Sequence, residues 1–100
     1  IEGKVPKGAG VLVVEDLVST GKSSLQAVDA LRQDGVKVLA VTSLFHYNFP
    51  QAHSIFETHQ VRCLPLCTLD DMLTWAVKNG KLRAEQAAEI KTWRQNLSFP

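Results

Sequence analysis

The sequence predicts an α/β fold built on a parallel sheet, and three observations lead to it. Residues 11–14 (VLVV) form a wholly apolar run, which is typical of a strand buried on both faces of a parallel sheet. After a loop of small residues, the apolar spacing becomes helical at Leu25, Val28 and Leu31, and residues 36–45 return to strand composition. Strand, helix and strand between positions 11 and 45 make one βαβ unit, whose crossover we expect to be right-handed.

The boundaries of this unit are set by glycines and by an acidic pair. Residues 1–10 are rich in glycine and predict a lead-in turn. The first strand is predicted to end at Glu15 and Asp16, and the helix to begin at about Ser24. Gly35 follows the last helical residue, where a glycine commonly ends a helix.

A second helix and a third strand follow the unit. Residues 48–50 (NFP) break the chain, and Pro50 suits the first position of a helix. We expect that helix to bury four side chains, namely Ala52, Ile55, Phe56 and His59. Residues 61–68 predict a strand that Pro65 restricts to an edge or bulged position, because proline cannot donate to the ladder.

Two helices close the chain. Thr68 is predicted to cap the first of them, with Asp70 and Asp71 in its first turn and Gly80 after its end. Its apolar stripe consists of Leu69, Met72, Leu73, Ala76 and Val77. The last helix is predicted from about residue 84 to residue 96, and its buried side is expected to contain Ala87, Ile90, Trp93 and Leu97.

Composition and charge narrow the classes of function. Lysine and arginine number 11 against 10 acidic residues, so the net charge of +1 supplies no bulk field for nucleic acid or an anionic membrane. No apolar run approaches the roughly 20 residues of a membrane helix. We therefore expect no nucleic-acid or membrane partner. The first residue is Ile1 and the only methionine is Met72, so we expect a piece of a longer protein.

The cysteines and histidines give no sign of a metal centre or a disulfide. On one strand Cys63 and Cys67 would lie roughly 13 Å apart, whereas a disulfide needs Cα atoms within roughly 7 Å. We expect buried free thiols, as in a reducing cytoplasm. The Cys-x3-Cys spacing lacks the partners of a zinc site, and the three histidines, at 46, 53 and 59, show no ligand-like pairing.

The loop at residues 19–23 (STGKS) carries the strongest functional signal, and it has three interpretations. It could be an ordinary loop between strand and helix. As a Walker A loop it fails, because Asp16 stands where that motif needs its first glycine. In the third interpretation the free amides, hydroxyls and Gly21 hold a phosphate at the start of the helix. One of the carboxylates, Glu15 or Asp16, then accepts hydrogen bonds from the hydroxyls of a ribose 5-phosphate.

The stretch VLVVEDLVSTGKSS resembles the phosphoribosyl pyrophosphate (PRPP) motif of the type I phosphoribosyltransferases. Residues 1–3 (IEG), 6–8 (PKG), the helix DDMLTWAVKNG and the pair Trp93 and Arg94 resemble the carboxyl-terminal half of bacterial orotate phosphoribosyltransferases. The resemblance implies the parallel-sheet, Rossmann-like core of that family, in its carboxyl-terminal part only. Residues 1–100 would form this portion of a single domain, with the PRPP motif at 11–24 and the carboxyl-terminal helices at 69–97.

The resemblance also implies roles for individual residues. Glu15 and Asp16 would contact the ribose hydroxyls, and Ser19 would lie beside the orotate ring. The PRPP-binding segment would run through Leu17, Val18, Ser19, Thr20, Gly21, Lys22 and Ser23, of which the last five wrap the 5-phosphate. Two positions depart from the family pattern. Lys22 replaces the usual second glycine, and residues 45–48 (FHYN) lack the arginine that many members place there for the orotate carboxylate.

The activity implied is transfer of ribose 5-phosphate from PRPP to orotate, which gives orotidine 5′-monophosphate and pyrophosphate in de novo UMP biosynthesis. Mg²⁺ would be bound mainly through PRPP, with no direct metal ligand here. The catalytic lysines of the family would lie upstream, so these 100 residues are expected to be inactive alone and to expose an apolar patch. A cytoplasmic homodimer is implied. The alternatives are a phosphoribosyltransferase for a purine or another base, a non-catalytic PRPP-binding regulator, and a plain α/β domain without a ligand.

Overall fold

A computed structural model describes residues 10–98 of the chain. Three strands alternate with helices in the predicted order and are followed by a fourth helix. The elements are β1 (Gly10–Val18), α1 (Lys22–Gln33), β2 (Lys37–His46), α2 (Pro50–Thr58), β3 (Cys63–Thr68), α3 (Leu69–Lys78) and α4 (Ala84–Asn96). Of the predicted lead-in turn only Gly10 is described, and it belongs to β1. None of the described helices is long and apolar enough to cross a membrane.

The strands form a parallel sheet in the order β1-β2-β3, which confirms the predicted fold class. In the described sheet β3 is an end strand, as Pro65 requires, and Pro65 lies opposite Ser43 of β2. Because the carboxyl ends of parallel strands meet at one edge, the loops that follow β1 and β2 are neighbours. That edge is where open α/β sheets bind their ligands.

The first strand is longer than predicted. It continues through Glu15 and Asp16 to Val18, because β2 extends to His46 and offers pairing partners along this whole length. Glu15 lies opposite Ser43, and Val18 opposite His46. The helix α1 also begins two residues earlier than predicted, at Lys22. The connecting loop is therefore reduced to residues 19–21.

The main core lies between the sheet and the helices α1 and α2. Its buried members are Val18, Leu25, Val28, Val41, Phe49, Ala52, Phe56 and Val61. A second cluster lies under α3 and α4 and contains Leu69, Leu73 and Ala87, with Phe45 and Tyr47 packed against it. Since β2 contributes to both clusters, it ties the carboxyl-terminal helices to the βαβ unit.

The opposite face of the sheet is apolar and exposed. Alternation along the strands and the register between them bring five side chains to this face, namely Leu12, Val14, Leu44, Leu64 and Leu66. Val14 is 70% exposed and Leu66 76% exposed. Parallel sheets normally have both faces covered. This bare sheet face is the exposed apolar patch expected from the sequence.

Two predictions for the closing helices are wrong. Trp93 is 51% exposed, and it makes an edge contact with Phe49. Arg94, the next residue, points inward instead and is 7% exposed, because it forms an ion pair with the half-buried Asp70. Met72 is also exposed, since α3 buries the narrower stripe of Leu69, Leu73 and Ala76.

Other features agree with the sequence. Thr68 and Asp71 form a capping box at the start of α3, with the Asp71 amide donating to the Thr68 hydroxyl at 3.1 Å. Both cysteines are free, as predicted, although they are half-buried rather than buried. Burial raises the pKa of the Cys63 thiol, and the nearby Ser43 side chain opposes that effect.

Candidate functional site

The loop after β1 depends on a glycine. Gly21 has a φ of 84°, a left-handed conformation that side chains with a Cβ rarely adopt. A Cβ at this position would lie 2.9 Å from Cε2 of Phe56 and 3.2 Å from Cγ2 of Ile55. The helix α2 therefore packs directly against the loop, and both the conformation and the space require glycine.

The loop encloses a small cavity at the start of α1. Its volume is about 50 Å³, and it is lined by residues 17–24. The Leu25 amide makes the first helical bond, to the Gly21 carbonyl at 2.9 Å, so the amides of Ser23 and Ser24 precede the regular ladder. The Lys22 amide donates to the Thr20 hydroxyl at 3.4 Å. Amides and hydroxyls at the positive end of a helix can bind an anion such as a phosphate.

Lys22 adds a positive charge to this loop. It is exposed at the first position of α1, and no acidic residue occupies the first turn of that helix. A cation at a helix amino terminus is unfavourable for the helix itself, since the helix dipole is positive there. The same charge favours a bound anion. The departure from the family glycine therefore increases the positive potential of the loop.

The acidic residues stand on β1, before the loop. Glu15 is half-buried and Asp16 is exposed, and adjacent strand residues point to opposite faces. They cannot act together as an acid–base pair or chelate one ion between them. Val18 is 1% exposed and part of the core, so only its backbone is available to a ligand. Leu17 is 47% exposed and lines the cavity.

A larger cavity of about 470 Å³ lies between α3 and α4 and shares no lining residue with the loop. Its walls are apolar, with Lys78 and Lys91 among the residues that line it. In residues 10–98 no group of three or more histidine, cysteine or acidic side chains could hold a metal ion.

The last residue of β2, His46, and the turn that follows it lie beside the loop, and His46 is a buried histidine that sequence analysis missed. The Tyr47 amide donates to the Val18 carbonyl at 3.2 Å, directly before the loop begins. His46 is 1% exposed, and its ring stacks on that of His53 at a centroid distance of 5.2 Å. Its Nδ1 accepts a hydrogen bond from the Asn48 amide at 2.8 Å. The neutral ring therefore carries its proton on Nε2, which has no partner among the described residues.

An ion pair fixes the same turn from the other side. Arg94 Nη1 donates to Asp70 Oδ2 at 2.6 Å and to the Tyr47 carbonyl at 3.2 Å. The Arg94 hydrogen bond is the largest of the effects that together lower the pKa of Asp70 to about 2; a hydrogen bond from Asn48 acts in the same direction, and burial opposes both. No local pattern could have revealed this contact, since the two charged residues are 24 positions apart.

Acid is expected to destabilise the fold through His46. Burial, with a smaller effect from His53, lowers the pKa of His46 from 6.5 to about 4. The folded state therefore favours the neutral ring, so stability is complete above pH 6.5 and decreases as the pH falls towards 4. We expect a loss of about 3 kcal/mol in the free energy of unfolding over this range.

Chemical denaturation of the protein between pH 7.5 and pH 4 measures this loss of stability. In His46→Gln most of the pH-dependent loss should disappear. His59→Gln, which changes a half-buried histidine close to Asp29, serves as the matched control and should retain the loss. An equal pH dependence in His46→Gln and the unaltered protein would contradict the assignment.

The comparisons with known proteins agree with this geometry. No family model matches the chain. The orotate phosphoribosyltransferase of Bacteroides thetaiotaomicron is 38% identical over 96 residues, which cover 96% of this chain and 45% of that protein. A solved structure with a similar fold is that of Mycobacterium tuberculosis orotate phosphoribosyltransferase in complex with inorganic phosphate, with a TM-score of 0.62. The two sequences are 36% identical, and the match covers 70% of this chain and 41% of that one. The chain has the fold of the type I phosphoribosyltransferases and is similar in sequence to the orotate phosphoribosyltransferases.

The structure of Leishmania donovani UMP synthase shows the same fold across nearly the whole chain. The TM-score is 0.77 at 24% sequence identity, and the match covers 96% of this chain and 21% of the Leishmania chain. The chain spans about half the length of the curated relatives it matches. The structure brings residues 17–23 of the predicted PRPP segment together around one cavity and leaves Glu15 and Asp16 on the adjoining strand.

Proposed function

We propose that the complete protein is an orotate phosphoribosyltransferase, which transfers ribose 5-phosphate from PRPP to orotate and releases pyrophosphate. The observation that carries the proposal is the segment 11–24. It combines a PRPP-like sequence with a cavity at a helix start and at the carboxyl edge of a parallel sheet. The similarity to orotate phosphoribosyltransferases over 96% of the chain favours orotate over a purine as the acceptor.

In this proposal the described residues hold and orient the sugar. Amides and hydroxyls of residues 19–23 bind the 5-phosphate, with Lys22 adding charge, and one carboxylate of the pair Glu15 and Asp16 accepts hydrogen bonds from the ribose hydroxyls. Ser19 lies beside the orotate ring. Fixing the ribose relative to the base lowers the barrier through proximity and orientation. The catalytic lysines and the groups that bind pyrophosphate belong to the other half of the protein.

Mg²⁺ enters this proposal with the substrate, bound to the diphosphate of PRPP. Glu15 and Asp16 point to opposite faces of β1, so they do not supply two ligands to one ion. The arrangement suits an ion that is coordinated mainly by phosphate and ribose oxygens. When bound, the ion neutralises charge on the leaving pyrophosphate.

The bare sheet face supports a further part of the proposal. Its five apolar side chains would be covered by the other half of the same domain, because an uncovered parallel sheet is unfavourable in water. We also propose a homodimer in the cytoplasm, where the two cysteines remain reduced. Sedimentation of the complete protein would report the oligomeric state.

The decisive experiment mixes the complete protein with PRPP and Mg²⁺ and offers orotate, adenine or hypoxanthine as acceptor. We expect orotidine 5′-monophosphate from orotate and no product from the purines. Residues 1–100 alone should form no product, because nothing in them is assigned to stabilise the departing pyrophosphate. Transfer to a purine would identify the alternative enzyme class. Binding of PRPP without any transfer would identify a regulator.

A further inference from the structure

The turn between β2 and α2 is held by polar groups from both carboxyl-terminal helices. Arg94 of α4 bonds to the Tyr47 carbonyl and to Asp70 of α3, and the Asn48 side-chain amide donates to the same Asp70 oxygen at 2.7 Å. We call Tyr47, Asn48, Asp70 and Arg94 the turn clamp. Asn48 has a φ of 59°, so the clamp holds a non-glycine residue in the left-handed region.

Burial of the Arg94 charge in the clamp costs free energy that a purely structural contact would not require. Arg94 is 7% exposed, and a buried charge is tolerated only when it is paired and hydrogen-bonded. Apolar side chains of similar size can often stabilise such a contact equally well. The polar clamp differs from an apolar contact because its hydrogen bonds are directional. They fix the position of the backbone at residues 47 and 48.

The clamped turn adjoins the base side of the proposed site. The Tyr47 amide bonds to the Val18 carbonyl, and the next residue is Ser19, which the proposal places beside the base. The rest of the phosphate cradle, residues 20–23, is held by other contacts. Its shape depends on the Lys22 amide bond to Thr20 and on the contact of Gly21 with α2. Movement of the turn would therefore affect the base more than the phosphate.

We propose that Arg94 is a positioning residue for base recognition, acting through Asp70 and the Tyr47 carbonyl on the turn beside Ser19. This inference rests on the proposed function. Arg94 does not replace the family arginine that meets the orotate carboxylate. Its Nη1 is shared between Asp70 and Tyr47, its Nε donates to Gln95 at 3.2 Å, and its side chain is buried.

Steady-state kinetics of Arg94→Met in the complete protein tests the proposal. We expect the KM for orotate to rise about tenfold, in the range for a lost hydrogen bond to a charged group, while the KM for PRPP stays within about twofold. Arg94→Lys should recover part of the loss, since lysine keeps the charge opposite Asp70. Lys91→Met removes the same charge from an exposed position of α4 and should leave both constants unchanged.

Asn48→Gly provides a second test that does not remove the buried cation. Glycine accepts the positive φ, so only the amide bond to Asp70 is lost, and we expect a severalfold rise in the KM for orotate alone. An equal rise in both KM values, or no rise in either variant, would overturn the positioning role while the proposed function stands. An unaltered protein that turns over no orotate would instead overturn the proposed function, and the inference with it.

Discussion

Gly21→Ala in the complete protein is expected to weaken PRPP binding by about tenfold or more. Two effects combine. A Cβ costs roughly 1–2 kcal/mol in the left-handed conformation, and here it would also lie 2.9 Å from the ring of Phe56. The loop can relieve both only by leaving its present path, which displaces the amides that would hold the 5-phosphate. Titration calorimetry with PRPP measures the change, and Gly21→Val should abolish detectable binding, because a β-branched residue is still less suited to that conformation.

Gly80→Ala is the matched control for this experiment. Gly80 also has a positive φ, of 70°, but a Cβ there would meet no atom within 4 Å. It follows α3 and does not line the loop cavity. We expect a modest loss of stability and unchanged PRPP affinity. If a folded Gly21→Ala protein bound PRPP as tightly as the Gly80→Ala protein, the loop would be an ordinary connection.

Asp16→Asn is expected to lower kcat/KM by roughly ten- to a hundredfold, which corresponds to the loss of one hydrogen bond to a charged group. Asp16 is exposed on β1, so its replacement by an isosteric amide should leave the fold intact. The structure places Asp16 inside the strand rather than at its end.

Initial-rate measurements with PRPP and orotate decide the role of Asp16. Asp34→Asn makes the same chemical change at an exposed position after α1, at the other end of that helix from the loop. Its kinetics should match those of the unaltered protein. Rates for Asp16→Asn that are equal to those for Asp34→Asn would remove Asp16 from the site. Circular dichroism of both variants would confirm that neither change disturbs the fold.

Local patterns in the sequence were sufficient to predict the fold class and the loop. Every described helix and strand was expected, because apolar periodicity, proline at the start of α2 and the Thr68 cap act within a few residues of chain. The loop at residues 19–23 was identified in the same way. The need for glycine at position 21 follows partly from backbone conformation, which sequence can suggest, and partly from Phe56, which it cannot.

The sequence by itself thus determined a parallel α/β domain with a phosphate-type loop at a strand–helix junction. Tertiary structure alone decided three further features: the extension of β1 to Val18, the inward direction of Arg94 beside an exposed Trp93, and the stacking of His46 on His53. Each depends on a partner from another element, and the Arg94 bond to Tyr47 joins residues 47 positions apart. Periodicity reports which face of an element is apolar. It does not report which distant polar group will be close enough to make a buried charge favourable.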